Sequence, residues 1–372
     1  MRDRNIFDVL VVYSDRIAQS VYSEAIFPFP ESYEEYNTAF AYFLDLCREN
    51  GLNVALSTTK DVVGPGECSS YWVYENEVWE KVRNSCFSGF IFDKFSAARP
   101  EQKLKRDLLY SSPQICSYTD PTLHHLLNDK YETYKQLEHY SIPTVRIDNT
   151  TKEGIHEALE ALKQLVLHHP YNSDFSSGLV LKDNHGSSGI NIYKIDRDFE
   201  EAIYKILQEN QDISFILQPF VNFDKGFTYN GFTRPTDIRL IYLNGKIVQT
   251  FIRIAKENDF RCNIHQGAII KYISVSDIPR EVIDLSEKIT TTLNTKHSLF
   301  SLDFIVSNNN HIYLLEGNIY PGFVWSISKE DETMTKNLID MVVKNLANRV
   351  DKPDNKINSL FNHFFDHFSL PF

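Results

Sequence analysis

A chain of 372 residues exceeds what one hydrophobic core ordinarily organises, so two or three lobes are expected. Its hydrophobic fraction of 42% and charged fraction of 24% are ordinary for a soluble globular protein. The formal net charge of −12 argues against a general nucleic-acid binder and against a binder of anionic membranes.

Five cysteines (Cys47, Cys68, Cys86, Cys116, Cys262) are scattered without a CxxC pair, which points to reduced thiols in a cytoplasmic protein and to no zinc site. Met1-Arg2-Asp3-Arg4 leads directly into an apolar run that lacks a signal-peptide cleavage pattern and is too short to span a bilayer. No internal repeat is visible.

In chain order, Val9 to Tyr13 reads as a buried strand, and Tyr36, Ala39, Phe40, Phe43, Leu44 and Cys47 recur at helical spacing up to Gly51. Val54-Ala55-Leu56 and Phe90-Ile91-Phe92 read as further strands, so the first section is an α/β lobe. Residues 57–80 look less regular, with Gly64-Pro65-Gly66 as a loop. A second section opens with a helix capped by Asn128 or Asp129 and running to Tyr140. It continues with a helix striped by Ile155, Leu159, Leu162 and Val166, the strand 178–182, a Gly/Ser loop and the strand 190–194. A helix (Phe199, Ala202, Ile203, Ile206, Leu207) and the strand 215–218 complete it. A third section has strands 237–243 and 246–254 about an Asn244-Gly245 turn, then a helix around 280–295. The tail (Leu360, Phe361, Phe364, Phe365, Phe368) is aromatic at helical spacing and is expected to dock on the body.

Three features carry chemistry. Leu302-Asp303-Phe304 and Leu314-Leu315-Glu316-Gly317-Asn318 flank Asn308-Asn309-Asn310 and read as a β-hairpin. With the turn centred on Asn309-Asn310, Asp303 lies opposite Glu316, and Asn318 shares the Glu316 face. Two like charges at that spacing repel, so a positive group belongs between them, and oxygen donors suit Mg²⁺. The second feature, Lys182 before Asp183-Asn184-His185-Gly186-Ser187-Ser188-Gly189, is a small-residue loop able to approach phosphates, although it is neither a Walker loop nor a GxGxxG motif. Third, Arg239, Arg253 and Arg261 could converge on developing negative charge.

Together these parts resemble the ATP-grasp superfamily. The resemblance rests on Asp129-Lys130 with Leu137, Lys182 before the Gly/Ser loop, Ile216 to Val221, Asp237-x-Arg239, Arg253 through Asn263-x-His265-x-Gly267, and Asp303 with Glu316-x-Asn318-x-x-Pro321-Gly322. It covers about residues 110–345, and the stretch from Arg253 to Gly267 is most similar to RimK-type glutamate ligases and their glutathione synthetase relatives. The resemblance implies that Lys130 and Lys182 contact ATP phosphates under a flap of Gly186, Ser187, Ser188 and Gly189. The backbone of the strand Gln218, Pro219, Phe220 and Val221 would meet adenine, and Asp303, Glu316 and Asn318 would hold Mg²⁺, with Mn²⁺ as a substitute. Arg253, Arg261 and Asn263 would face the transferred phosphoryl and acyl groups, with Asp237 or Arg239 near the nucleotide or metal. Pro219 and His185 stand where acidic residues are familiar, and residues 222–236 look longer than in short relatives.

The implied fold is an α/β pre-domain (1–125), an α+β ATP-grasp module with a lid lobe (126–221) and a catalytic lobe (222–350), and an aromatic tail (351–372). The implied function is an ATP-dependent carboxylate–amine ligase working through an acyl phosphate on small-molecule or peptide substrates. A phosphotransferase on the same fold and a noncatalytic nucleotide-binding protein remain as alternatives, and homo-oligomerisation is left open.

Overall fold

The computed structural model describes residues 4–187, 189–293, 298–323, 325 and 328–350; Ser188 and the aromatic tail lie outside the described residues. Two compact units emerge, Met1–Pro121 joined by the chain from Tyr320 onward, and Thr122–Ile319 between them.

The first unit is built on a six-stranded sheet of β1 (Val9–Tyr13), β2 (Val54–Thr58), β3 (Tyr71–Glu75), β4 (Val78–Val82), β5 (Phe90–Lys94) and β6 (Cys116–Ser117), in the order β6-β5-β1-β2-β3-β4. β1, β2 and β5 are buried along their whole length, as parallel strands covered on both faces must be. Helix α1 (Glu34–Glu49) buries the expected stripe, with Phe40 packed on Phe29, Tyr13 and Phe323. The supposedly irregular 57–80 region contains short strands, and Asn76 and Glu77 at φ 50° and 65° make the tight turn between β3 and β4. Helix α2 (Pro100–Leu109) brings Arg106 to the buried Asp93.

A long helix, Lys329–Val350, completes this unit and corrects the assignment of 222–350 to a single lobe. Its stripe of Thr335, Leu338, Ile339, Val342, Val343 and Leu346 is buried, and Tyr42 of α1 donates to Asp340 at 2.8 Å. Lys94, 4% exposed, ends β5 with its ammonium donating to the Pro321 carbonyl at 2.9 Å and lying over the Phe92 and Phe323 rings. Burial pushes its pKa down to about 7 against the pull of Asp93.

The second unit begins with α3 (Pro121–Leu127) and α4 (Lys130–Gln136), the latter capped by Asp129 accepting from the Glu132 N–H. Its lid lobe holds β7 (Val145–Ile147), α5 (Lys152–His168), β8 (Phe175–Asp183), β9 (Ile192–Ile195), α6 (Phe199–Glu209) and β10 (Phe215–Val221), with sheet order β7-β10-β8-β9. Leu181, Phe215 and Leu217 face α5 and α6 in one apolar cluster with Ile155, Leu162, Ile203 and Leu207. By strand alternation, Val180, Lys182, Gln218 and Phe220 take the opposite face, where the cleft lies.

The other lobe is an antiparallel sheet of β11 (Thr236–Leu243), β12 (Lys246–Ile254), β13 (Ile269–Tyr272), β14 (Leu299–Val306) and β15 (Ile312–Asn318), in the order β13-β12-β11-β14-β15. Asn244 and Gly245, at φ 53° and 73°, make the expected primed turn between β11 and β12. Helix α7 (Arg280–Leu293) buries Val282, Ile283, Ser286 and Ile289, and Tyr242 donates to Ser286 at 2.6 Å.

The β14–β15 hairpin forms, and Asp303 pairs with Glu316 as expected, but by a different route. The turn is centred half a residue earlier, on Asn309: Ser307 N–H donates to His311 O and Asn310 N–H to Ser307 O, with Asn310 at φ 66°. A register shift between Asp303 and Phe304 then absorbs the extra residue and restores the pairing at the carboxylates. The turn is held by Asp174, which accepts from Asn309 Nδ2 (2.6 Å), His311 Nδ1 (2.8 Å) and Tyr313 OH (2.7 Å). The 222–235 loop braces it too, since Asn308 donates to Asp224. A Cβ on Gly226 would meet Val306 O at 2.1 Å, so only glycine permits this approach.

Candidate active site

One cleft in the second unit gathers most of the singled-out residues. Its lining includes Lys130, Lys182, Gly186, Ser187, Gly189, Gln218, Pro219, Phe220, Val221, Asp237, Arg253, Arg261, Asn263 and Glu316. A cavity of about 630 Å³ on the outer side of the lid, lined by α5 and by Phe199 to Glu201, is larger, but it contains none of these residues apart from Pro219.

At the apolar end, Ile142, Val180, Phe223, Ile305 and Leu315 wall a slot beside β10. Gln218 is 6% exposed there, and its Nε2 donates to Thr144 Oγ1 at 2.7 Å. Thr144 spends its only hydroxyl proton on Ile142 O at 2.8 Å, so it can only accept from Gln218. The orientation of the Gln218 amide is therefore fixed by chemistry, and its Oε1 is left buried without a partner among the described residues. An unmet buried acceptor costs about 1–3 kcal/mol, and the exocyclic amine of adenine would satisfy it. Pro219 lies beyond Leu217, where pairing with β7 stops, so its missing N–H faces an unpaired edge on that side.

At the polar end, Lys182 is 9% exposed and forms no ion pair among the described residues. Burial lowers its pKa to about 8, with Glu316 opposing the shift and Lys130 reinforcing it. The Lys130 ammonium donates to the flap carbonyl of Gly186. Arg261 is clasped by Asp259 (Nη2 to Oδ2 2.9 Å) and reaches Gly189 O at 3.5 Å. A Cβ on Gly189, which sits at φ +73°, would come within 2.7 Å of Asn263 Oδ1, so the flap packs directly on the Arg261–Asn263 loop. Sequence reasoning gave no role to Thr144, Asp259 or Asn184; pairwise contacts of this kind leave no spacing signature.

Of the three arginines, Arg253 and Arg261 line the cleft and Arg239 does not, and Arg239 and Arg253 are engaged in a buried ladder across β12, β11 and β14. Arg239 forks onto Asp303 (Nε 2.6 Å, Nη2 2.5 Å), while Arg253 bonds Asp237 (2.8 and 2.6 Å) and Asp303 (2.6 Å). These guanidinium groups supply the positive charge expected near the opposed carboxylates. Burial alone would raise the Asp303 pKa, but the two arginines outweigh it and hold it below the usual range. For Asp237 burial, helped by the neighbouring Asp303 charge, outweighs the pull of Arg253 and Arg239, and its pKa rises to about 6. Arg239, Asp303 and Asn318 do not line the cleft.

The oxygen donors still suit a hard cation. A carboxylate offers four lone pairs, and the Asp303 contacts use three, leaving one on Oδ1. Asp303 pairs with Glu316 and Asn318 lies two positions along the same strand, so by residue type the hairpin offers oxygen donors of the kind Mg²⁺ takes.

Two antiparallel sheets, one of four strands and one of five, with a cleft lined from both define the ATP-grasp fold. The D-alanyl-alanine synthetase A structure from Vibrio cholerae superposes with a TM-score of 0.58 at 14% identity, covering 94% of this chain and 99% of that one. A RimK domain ATP-grasp protein from Sphaerobacter thermophilus gives 0.54 at 12% identity, covering 92% and 99%. The ATP-grasp ligase PsnB, complexed with minimal precursor, gives 0.53 at 12% identity, covering 91% and 99%. The chain belongs to the RimK-like ATP-grasp domain family, whose model matches residues 128–342. A probable alpha-L-glutamate ligase from Histophilus somni (strain 2336) is 28% identical over 151 residues, 39% of this chain and 44% of the relative. One from Coxiella burnetii (strain Dugway 5J108-111) is 26% identical over 171 residues, 45% and 50% respectively. The chain thus spans about half the length of the curated relatives it matches.

Proposed function

We propose that this chain is an ADP-forming carboxylate–amine ligase acting on an amino acid or peptide. The observation that carries the reading is a single cleft lined by Gln218, by the two lysines Lys130 and Lys182, and by Glu316 of the acidic hairpin. The ligases named among its relatives and structural neighbours support it.

In this reading Gln218 and the apolar slot seat adenine, and Lys130 and Lys182 bind the phosphates. A substrate carboxylate oxygen attacks the γ-phosphorus, the bond to ADP breaks, and an acyl phosphate forms. Mg²⁺, or Mn²⁺ on the same donors, would offset charge on the phosphoryl oxygens and would be held by Asp303, Glu316 and Asn318. The amine then attacks the acyl carbon, the C–O bond to phosphate breaks, and the nitrogen loses a proton. Arg261 and Asn263, at the flap, would stabilise the oxyanion. Arg239 and Arg253 act through Asp303, which they orient. The five free thiols support a reducing, cytoplasmic setting, and no helix among the described residues is long and apolar enough to cross a membrane.

The test is incubation with Mg-ATP and pooled amino acids and dipeptides, following phosphate release and product mass. A product one water lighter than its two parts is expected, and Glu316→Ala should abolish its formation while preserving the fold. ADP formation with a phosphorylated acceptor would replace this reading with a phosphotransferase.

A further inference from the structure

Helix α4 carries Lys130 at its first position, and the first-turn amides of a helix need partners from outside it. Two of them are met by one residue far along the chain. Lys130 N–H donates to the Asn184 carbonyl at 3.1 Å, and Tyr131 N–H to Asn184 Oδ1 at 2.9 Å. A backbone amide only donates, which fixes Oδ1 toward Tyr131.

Asn184 is itself immobilised. It is 1% exposed, and its own N–H donates to Ser214 O at 2.8 Å, just ahead of β10. Its neighbour His185 tightens the junction. His185 Nδ1 lies 2.9 Å from Asn128 O, so Nδ1 carries the proton and Nε2 accepts from Asn184 Nδ2 at 3.4 Å. Residues 128–131 are thereby fastened to 184–185. Lys182, two residues before Asn184, is fixed on β8 by pairing with Ile192 and Ile216. The two ammonium groups repel, so an unfastened α4 would let Lys130 withdraw.

We propose that Asn184 is a positioning residue that holds Lys130 beside Lys182, so that the two ammonium groups form one preformed phosphate contact. This rests on the reading that both lysines bind nucleotide phosphates. Asn184→Ala removes the Tyr131 cap and the His185 link while leaving the backbone bond to Lys130.

The experiment is calorimetric binding of magnesium with a nonhydrolysable ATP analogue to wild type, Asn184→Ala, Lys130→Ala, the double variant and Asn184→Asp, each checked for folding by circular dichroism. Asn184→Ala should weaken binding roughly tenfold, consistent with the loss of one or two hydrogen bonds. The double variant should bind no more weakly than Lys130→Ala alone, and Asn184→Asp, which keeps the cap, should restore affinity to within about threefold. Unchanged affinity in Asn184→Ala, or fully additive losses in the double variant, would overturn the proposal. If Lys130→Ala alone leaves affinity unchanged, the phosphate reading of Lys130 falls, and the proposal with it. Should Asn184→Ala not fold, Asn184→Ser, whose hydroxyl is too short for the Tyr131 cap, carries the same comparison.

Discussion

Asp303 accepts three charge-assisted hydrogen bonds in a site with no exposure, so its arginine partners hold the hairpin's charge in place. Removing one partner of a buried pair costs far more than the pair contributes. Arg239→Met is therefore expected to destabilise the protein by about 3–5 kcal/mol in urea unfolding, with part recovered when Asp303→Leu is added. Lys94 makes the opposite case. Its folded pKa of about 7 lies below the unfolded value near 10.5, so the folded state loses stability at low pH and regains it as pH rises through that window. Lys94→Met should raise stability by about 1–3 kcal/mol at pH 6, after the unpaired Pro321 carbonyl is counted, and the gain should vanish by about pH 10. A gain that does not change with pH would show that the ammonium is not desolvated. At this scale the sequence was legible where a residue type implies one chemistry, as for Lys182 and Glu316, and the family resemblance added Lys130 and Gln218; all four line one cleft. It was opaque for Arg239 and Arg253, whose partners are set by which strands become neighbours in the sheet.

Among the elements, the hairpin shows how a right pairing can rest on a wrong turn. Alternation placed Asp303 against Glu316, but nothing local in Asn308-Asn309-Asn310 distinguishes a turn centred half a residue earlier and compensated by a bulge. The turn's position follows from tertiary partners, Asp174 and the 222–235 loop, which bind its side chains. Gly226→Ala should force that loop off Val306 O and lower stability by about 1–3 kcal/mol in thermal unfolding, with a correspondingly looser hairpin. The helix Lys329–Val350 was legible and went unassigned. Ser328 Oγ accepts from the Asp331 N–H and donates to Asp331 Oδ2, and the apolar residues from Leu338 to Leu346 recur on one stripe.

For the whole molecule, two cores in one chain predict two unfolding transitions. A nonhydrolysable ATP analogue with magnesium at about a hundred times its Kd should stabilise the transition of Thr122–Ile319 by about 2.7 kcal/mol and leave the other unmoved. A shift of the other transition instead would place the nucleotide outside the cleft described. The family resemblance made the nucleotide module readable, whereas the first unit's return segment was not, because no pattern in a helix states which distant helix it will cover.

That return segment has a consequence for the chain as it is synthesised. The sheet and α1 emerge first, yet the surface that Phe323 and Lys329–Val350 cover stays bare until all of Thr122–Ile319 has followed. At ordinary translation speeds the wait is roughly ten to forty seconds. The inserted module can therefore mature while its host is still unfinished, with an aromatic face around Phe40 and Phe43 open to the cell's chaperones throughout.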